Sequence, residues 1–128
     1  MLARTSLALL ITLAACSDSS SNTPDAAPPV DAVPATVTTV TCPATPAASI
    51  STSDTNDLSF MPSTASITVG QVIKFTMSLT HSVEADTTMS DPGLAVAKGA
   101  TKCLMFTKAG TFGFHCNPHG FRGTVTVQ

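Results

Sequence analysis

The chain has 128 residues, a formal net charge of −2 and only 11% charged side chains, with six phenylalanines and no tryptophan or tyrosine. That length holds one domain, and the near-neutral balance excludes the basic footprint with which nucleic-acid binders neutralise phosphate. Four cysteines and three histidines carry most of the available chemistry.

Met1 to Arg4 is a short basic opening, and Leu7 to Ala15 is an apolar run that ends in Leu13-Ala14-Ala15 before Cys16. This is the layout of an export signal. It resembles the lipobox of bacterial lipoproteins. The resemblance implies a signal peptide over 1–15, cleavage before Cys16, and lipid on Cys16 that holds the protein to a bacterial membrane, in the periplasm or at the cell surface. Cut elsewhere, the same run would be an ordinary secretory signal. It is too short to remain as a membrane-spanning helix.

Residues 16–36 contain Pro24, Pro28, Pro29 and Pro34, with Val30 and Val33 as the only sizeable apolar side chains. Such a segment cannot build a core. It predicts a disordered tether whose extended contour is about 60 Å. The remaining segment, 37–128, sets Asp54, Asp57, Glu84, Asp86 and Asp91 against Lys74, Lys98, Lys102, Lys108 and Arg122. No net field steers this domain, so a partner must be chosen by local shape. A monomer is expected.

Through the domain, valine, threonine, isoleucine and phenylalanine recur at two-residue spacing between glycines and prolines, which predicts an all-β structure. Ile67 and Val69 precede Gly70. Ile73, Phe75, Met77 and Leu79 alternate with Lys74, Thr76 and Ser78, a half-buried strand leading to His81. Leu104 and Phe106 end at a turn around Lys108-Ala109-Gly110; Phe112, Phe114 and Cys116 then alternate with Thr111, Gly113 and His115, and Val125 and Val127 follow. About seven short strands of this kind predict a Greek-key β-sandwich.

Strand parity assigns the site. Cys116 shares the inward face with Phe112 and Phe114, while His115 points outward and is a poor ligand candidate, more simply a solvated surface residue. Cys116 and His119 reach one ion across the Asn117-Pro118 spacer, and His81, 35 positions before Cys116, follows a strand that can lie alongside. A thiolate with two imidazoles suits one copper ion cycling between Cu(I) and Cu(II). Export keeps thiols oxidised. With Cys16 assigned to lipid and Cys116 to metal, Cys42 and Cys103 are left as the expected disulfide, worth roughly 3 to 4 kcal/mol if unstrained.

The stretch from Leu58 to Val127 is similar to the small blue-copper proteins, the cupredoxins, and within them to plastocyanin, amicyanin and pseudoazurin. The likeness is carried by Phe60-Met61-Pro62, Ile67-Thr68-Val69-Gly70, His81-Ser82-Val83-Glu84-Ala85-Asp86 and Gly110-Thr-Phe-Gly-Phe-His-Cys116-Asn-Pro-His119. It implies a Greek-key sandwich holding copper at one end through His81, Cys116 and His119, and electron transfer rather than catalysis. Weak redox partners would dock near His119, around Pro118, Gly120 and Phe121. Those relatives place a methionine after the second histidine as a weak axial ligand; here Gly120-Phe121-Arg122-Gly123 follows instead. The expectation is a three-coordinate site with Phe121 beside the open axial position, and Met89 as the alternative donor. Met61, Met77 and Met105 are more simply core or surface residues. Two further readings are a periplasmic copper-binding or delivery protein without redox turnover, and a cupredoxin-like structural module. An oxidase or reductase would need more histidines than this chain holds.

Overall fold

The computed structural model describes residues 35–55, 58–86 and 91–128. Among them are eight strands and no helix: β1 (Val37–Val40), β2 (Ala48–Ser51), β3 (Thr64–Ile67), β4 (Val72–Thr76), β5 (Glu84–Ala85), β6 (Thr101–Phe106), β7 (Gly110–His115) and β8 (Arg122–Val127). They form two four-stranded sheets, ordered β1-β6-β4-β2 and β3-β8-β7-β5. Two of the pairings are parallel, β2 with β4 and β3 with β8. The result is the all-β sandwich that the alternating pattern predicts. The signal peptide over 1–15, Cys16 with nearly all of the tether, and Met89 lie outside the described residues.

The alternation works as expected in β4, β7 and β8. Ile73 and Phe75 turn inward from β4, Phe112 and Phe114 from β7, and Val125 and Val127 from β8. These side chains meet between the sheets with Ile50, Leu94, Leu104 and Phe106. Phe114 stands at the centre of an aromatic group, edge-on to Phe60 with centroids 4.8 Å apart and to Phe75 at 5.7 Å. Each such pair contributes about 1 kcal/mol beyond the area it buries. One residue departs from the pattern. Leu79 would continue the buried face of β4, yet it is 78% exposed. The strand ends at Thr76, and the chain turns so that the amides of His81 and Gly99 both donate to the Ser78 carbonyl.

Opposite ends of the sandwich have different tasks. β4 runs antiparallel to β6, with Val72 opposite Met105 and Thr76 opposite Thr101. The chain beyond Thr76 leads to His81, while the chain beyond Phe106 crosses at the other pole to β7 in the second sheet. The entry to β1 is fastened at that second pole. The Thr107 amide and hydroxyl both donate to the Thr36 carbonyl, each at 2.9 Å. Thr36 in turn gives its amide and its hydroxyl to Asp91 Oδ2, and the Gly93 amide gives to Asp91 Oδ1 at 2.8 Å. Burial opposes ionisation of Asp91, but the Thr36 donors and the Gly93 and Val37 amides outweigh it and hold the carboxyl below its ordinary value of 3.8.

A depressed carboxyl stabilises the fold above its ordinary pKa and loses that contribution as the pH falls through the lowered value. Asp91→Ala is therefore expected to cost about 2 kcal/mol at pH 7, in line with charge-assisted hydrogen bonds. The gap between wild type and variant should close as the pH drops below 3.8. Thermal unfolding of both proteins across that range checks it; a gap of constant size would contradict the role of the ionised carboxylate.

Candidate metal centre

Three segments converge at the pole beyond β4 and β7. His81 ends the turn after β4 and is followed by Val83, which exchanges two 2.9 Å backbone hydrogen bonds with Val96. Cys116 comes directly after β7, on the buried face as the parity of Phe112 and Phe114 requires. His119 is brought back by a tight loop. The Cys116 carbonyl accepts from the Gly120 amide at 2.7 Å and from the His119 amide at 3.3 Å, and the Cys116 amide donates to the Phe121 carbonyl at 2.9 Å. Gly120 makes that reversal at a φ of 74°, a region that L side chains rarely adopt.

His81 Nδ1 and His119 Nδ1 lie 3.0 Å apart, and Cys116 Sγ lies 3.6 Å from the first and 3.7 Å from the second. Two imidazole nitrogens that close share either a proton or a cation. A point in the plane of this triangle stands about 2 Å from all three atoms, close to the bonds that first-row ions make to imidazole and thiolate. The donor set, one soft thiolate and two imidazoles, is the set that copper favours. His81 and Cys116 are buried and His119 is exposed, so the group opens to the surface on one side only. Among the described residues it is the one His/Cys/Asp/Glu group able to hold a metal.

Phe121 lies against the two histidines. Its ring centroid is 5.1 Å from that of His81 and 6.3 Å from that of His119, and 4.6 Å from that of Phe60. A phenyl ring at this place keeps water from the group and offers no donor atom. Met77 belongs to the buried core, Met61 is 44% exposed and Met105 is half-buried. Cys42 and Cys103 are joined, with an S–S distance of 2.07 Å, and Cys116 is the free thiol of the described residues.

His115 differs from expectation. It faces outward, but it is not simply solvated, because its Nδ1 donates to Asp86 Oδ1 at 2.8 Å and its side chain is only 25% exposed. Arg122 Nη1 donates to the same oxygen at 2.6 Å. On the other side of Cys116, Asn117 Nδ2 donates to Glu84 Oε1 at 2.8 Å. Sequence reasoning passed over Glu84, Asp86 and Arg122. For Glu84 and Asp86 the signal was their two-residue spacing after His81, which puts both carboxylates on one side of an extended chain; Arg122 carried no such signal.

The sequence model of copper binding proteins of the plastocyanin/azurin family matches residues 47–128. Plastocyanin of Sambucus nigra is 33% identical over a match that covers 56% of this chain and 89% of that protein. Plastocyanin of Prochlorothrix hollandica is 30% identical, with 54% and 63% covered. Among solved structures, a reduced single-site mutant of amicyanin superimposes with a TM-score of 0.58 at 21% identity, covering 73% of this chain and 99% of that one. Amicyanin from Paracoccus versutus gives a TM-score of 0.57 at 15% identity, with the same coverage. At these identities the structural likeness speaks to the fold.

Proposed function

Because this chain belongs to the plastocyanin/azurin family of copper-binding proteins, with one copper ion as its cofactor, we propose that it is an electron carrier held by lipid on Cys16 to the extracytoplasmic side of a bacterial membrane. The observation that carries the reading is the triangle of His81 Nδ1, His119 Nδ1 and Cys116 Sγ, whose sides of 3.0 to 3.7 Å suit a single small ion. Bound there, copper supplies a one-electron couple between Cu(I) and Cu(II). Cys116 would be held directly after β7 and His81 in the buried turn after β4, and the closed 116–121 loop holds His119 beside them, so the donors need to move little when the charge changes. The exposed imidazole of His119 is the path for the electron. Pro118 and Gly120 flank it at the surface and make the shallow contact that a weak redox partner uses. Turnover as an enzyme is not part of this reading, since the third histidine, His115, is engaged by Asp86. The lipid anchor rests on the Leu13-Ala14-Ala15-Cys16 pattern.

Phe121 bears on the potential of the couple. Phe121 lies against both histidines and offers no donor atom; copper held by His81, Cys116 and His119 alone would have its Cu(II) state less stabilised than with an added thioether donor, and its potential would be higher. Phe121→Met is expected to lower it, by about 60 mV for each tenfold gain in preference for Cu(II). If Met89 is instead the donor, Met89→Leu raises the potential and Phe121→Met changes little. Voltammetry on the wild type and both variants separates the two: a drop in Phe121→Met with Met89→Leu unchanged supports the three-coordinate site, and the reverse pattern rules it out.

A further inference from the structure

Cys116 is flanked on both sides by residues whose side chains are tied to the segment that carries His81. His115 pairs with Asp86 and Asn117 with Glu84, both at 2.8 Å. Backbone pairing between these two ligand-bearing segments is short. β5 has two residues, matched to β7 through Glu84 with His115 and Ala85 with Phe114, and the Asp86 amide adds one bond to the Gly113 carbonyl. By contrast β7 and β8 pair over six positions. Ser82, next to His81, is buried, and its hydroxyl has no hydrogen-bond partner among the described residues. Apart from the contacts of His81 with Cys116 and His119 themselves, the side-chain link between the segments therefore runs through Glu84 and Asp86.

The outward face is shaped for this. Glu84, His115 and Arg122 form one row across β5, β7 and β8, because Glu84 is opposite His115 and His115 is opposite Arg122. Asp86 stands one row away, over Gly113. A Cβ at Gly113 would come within 2.7 Å of Asp86 Oδ2, so the glycine leaves the space in which that carboxylate lies. From there Oδ1 accepts from His115 and from Arg122, which reaches across from β8. Glu84 accepts from the amide of Asn117, inside the loop between Cys116 and His119.

We propose that Glu84 and Asp86 are positioning residues for the copper centre: they lock the His81 segment onto the Cys116 strand and the ligand loop, and so set the separation of the ligands in both oxidation states. The inference rests on the copper reading above. Outer partners of ligands orient them, and their loss typically lowers metal affinity 10- to 100-fold. Without the Glu84 link the loop bearing His119 is held to β5 by no side chain of that row. Without Asp86 the first strand residue before Cys116 loses its lateral anchor.

The test uses copper-loaded protein and reads the visible spectrum, the reduction potential and Cu(II) loss to a chelator, with thermal unfolding of the metal-free protein alongside. Glu84→Ala and Asp86→Ala are expected to shift the band and the potential and to weaken Cu(II) binding about tenfold. Glu84→Gln keeps an oxygen that accepts from Asn117 Nδ2 and is expected to restore most of the wild-type spectrum. Asp91→Ala, at the opposite pole, is expected to lower stability while leaving the spectrum and the potential unchanged. Should Glu84→Ala fail to fold, Asn117→Ala removes the same hydrogen bond from its other end. Variants that unfold at lower temperature but keep the wild-type band, potential and affinity would overturn the inference. A wild type with no thiolate-to-copper band at all would overturn the copper reading beneath it, a separate result.

Discussion

Replacing Cys116 with serine is expected to abolish the intense visible absorption of the Cu(II) protein and to weaken copper binding on the order of a hundredfold or more. The band arises only when a thiolate is bonded to Cu(II), and a hydroxyl at the same place stays protonated and hard. The magnitude follows from four-ligand zinc sites, where binding worth about 10 to 16 kcal/mol gives about 3 kcal/mol per ligand. Serine puts an oxygen into the same buried position, where His81 Nδ1 and His119 Nδ1, 3.6 and 3.7 Å from the sulfur, are at hand as hydrogen-bond partners, so the metal-free variant should stay within about 1 kcal/mol of the wild type. Competition with a Cu(I) chelator and absorbance of the Cu(II) form check the first claim, and thermal unfolding checks the second. Undiminished absorbance in Cys116→Ser would remove Cys116 from the ligand set.

The second large effect is on stability. The Cys42–Cys103 bond spans a sequence separation of 61, and closing a loop of that length restricts the unfolded chain by about 4 kcal/mol. In a domain of this size that corresponds to a fall of about 20 °C in Tm on replacing both cysteines with serine. Cys103 is buried in β6 opposite Val40, and Cys42 continues the chain beyond β1. The bond thus secures β1 at the edge of its sheet, at the strand end away from the Thr36–Asp91 contacts. Both features lie outside β7 and the ligand loop, and the folded variant is expected to keep the wild-type copper spectrum. A Tm within a few degrees of wild type would show that the β1–β6 ladder alone holds the edge.

The sandwich and the ligand trio were legible in the sequence for a physical reason: burial on one face imposes a two-residue period, and that period was strong where the core is aromatic. Phe112, Phe114 and Cys116 fell on one face and His115 on the other, as the structure has them. The short edge strands were less readable. β1 reads Val-Thr-Thr-Val and β2 reads Ala-Ser-Ile-Ser, too few and too mixed for a period to stand out, and only their partners β6 and β4 define them. Parity also says which face a side chain takes, but not what it meets there. Hence His115 was placed outward correctly while its carboxylate partner, 29 residues away in sequence, went unseen. Leu79 shows the opposite failure, a matching residue in the period that falls after the strand has ended.

Phe60 illustrates how the site depends on distant sequence. It packs against both Phe114 in the core and Phe121 beside the histidines, so the aromatic contacts run without a break from the core to the edge of the metal group. Rigidity there follows from packing on one side and, on the other, from the polar row of Glu84, Asp86, His115 and Arg122. A ligand set held from both faces suits a centre whose donors must serve two oxidation states.

The measurement that bears most directly on this account is a titration of the wild-type protein with Cu(II), followed by reduction and reoxidation in an anaerobic optical cell. The account predicts an intense visible band that saturates at one equivalent of copper, bleaches on uptake of one electron and returns on reoxidation with the metal still bound. No band at one equivalent, or a band that bleaches with release of the copper and does not return, would contradict it.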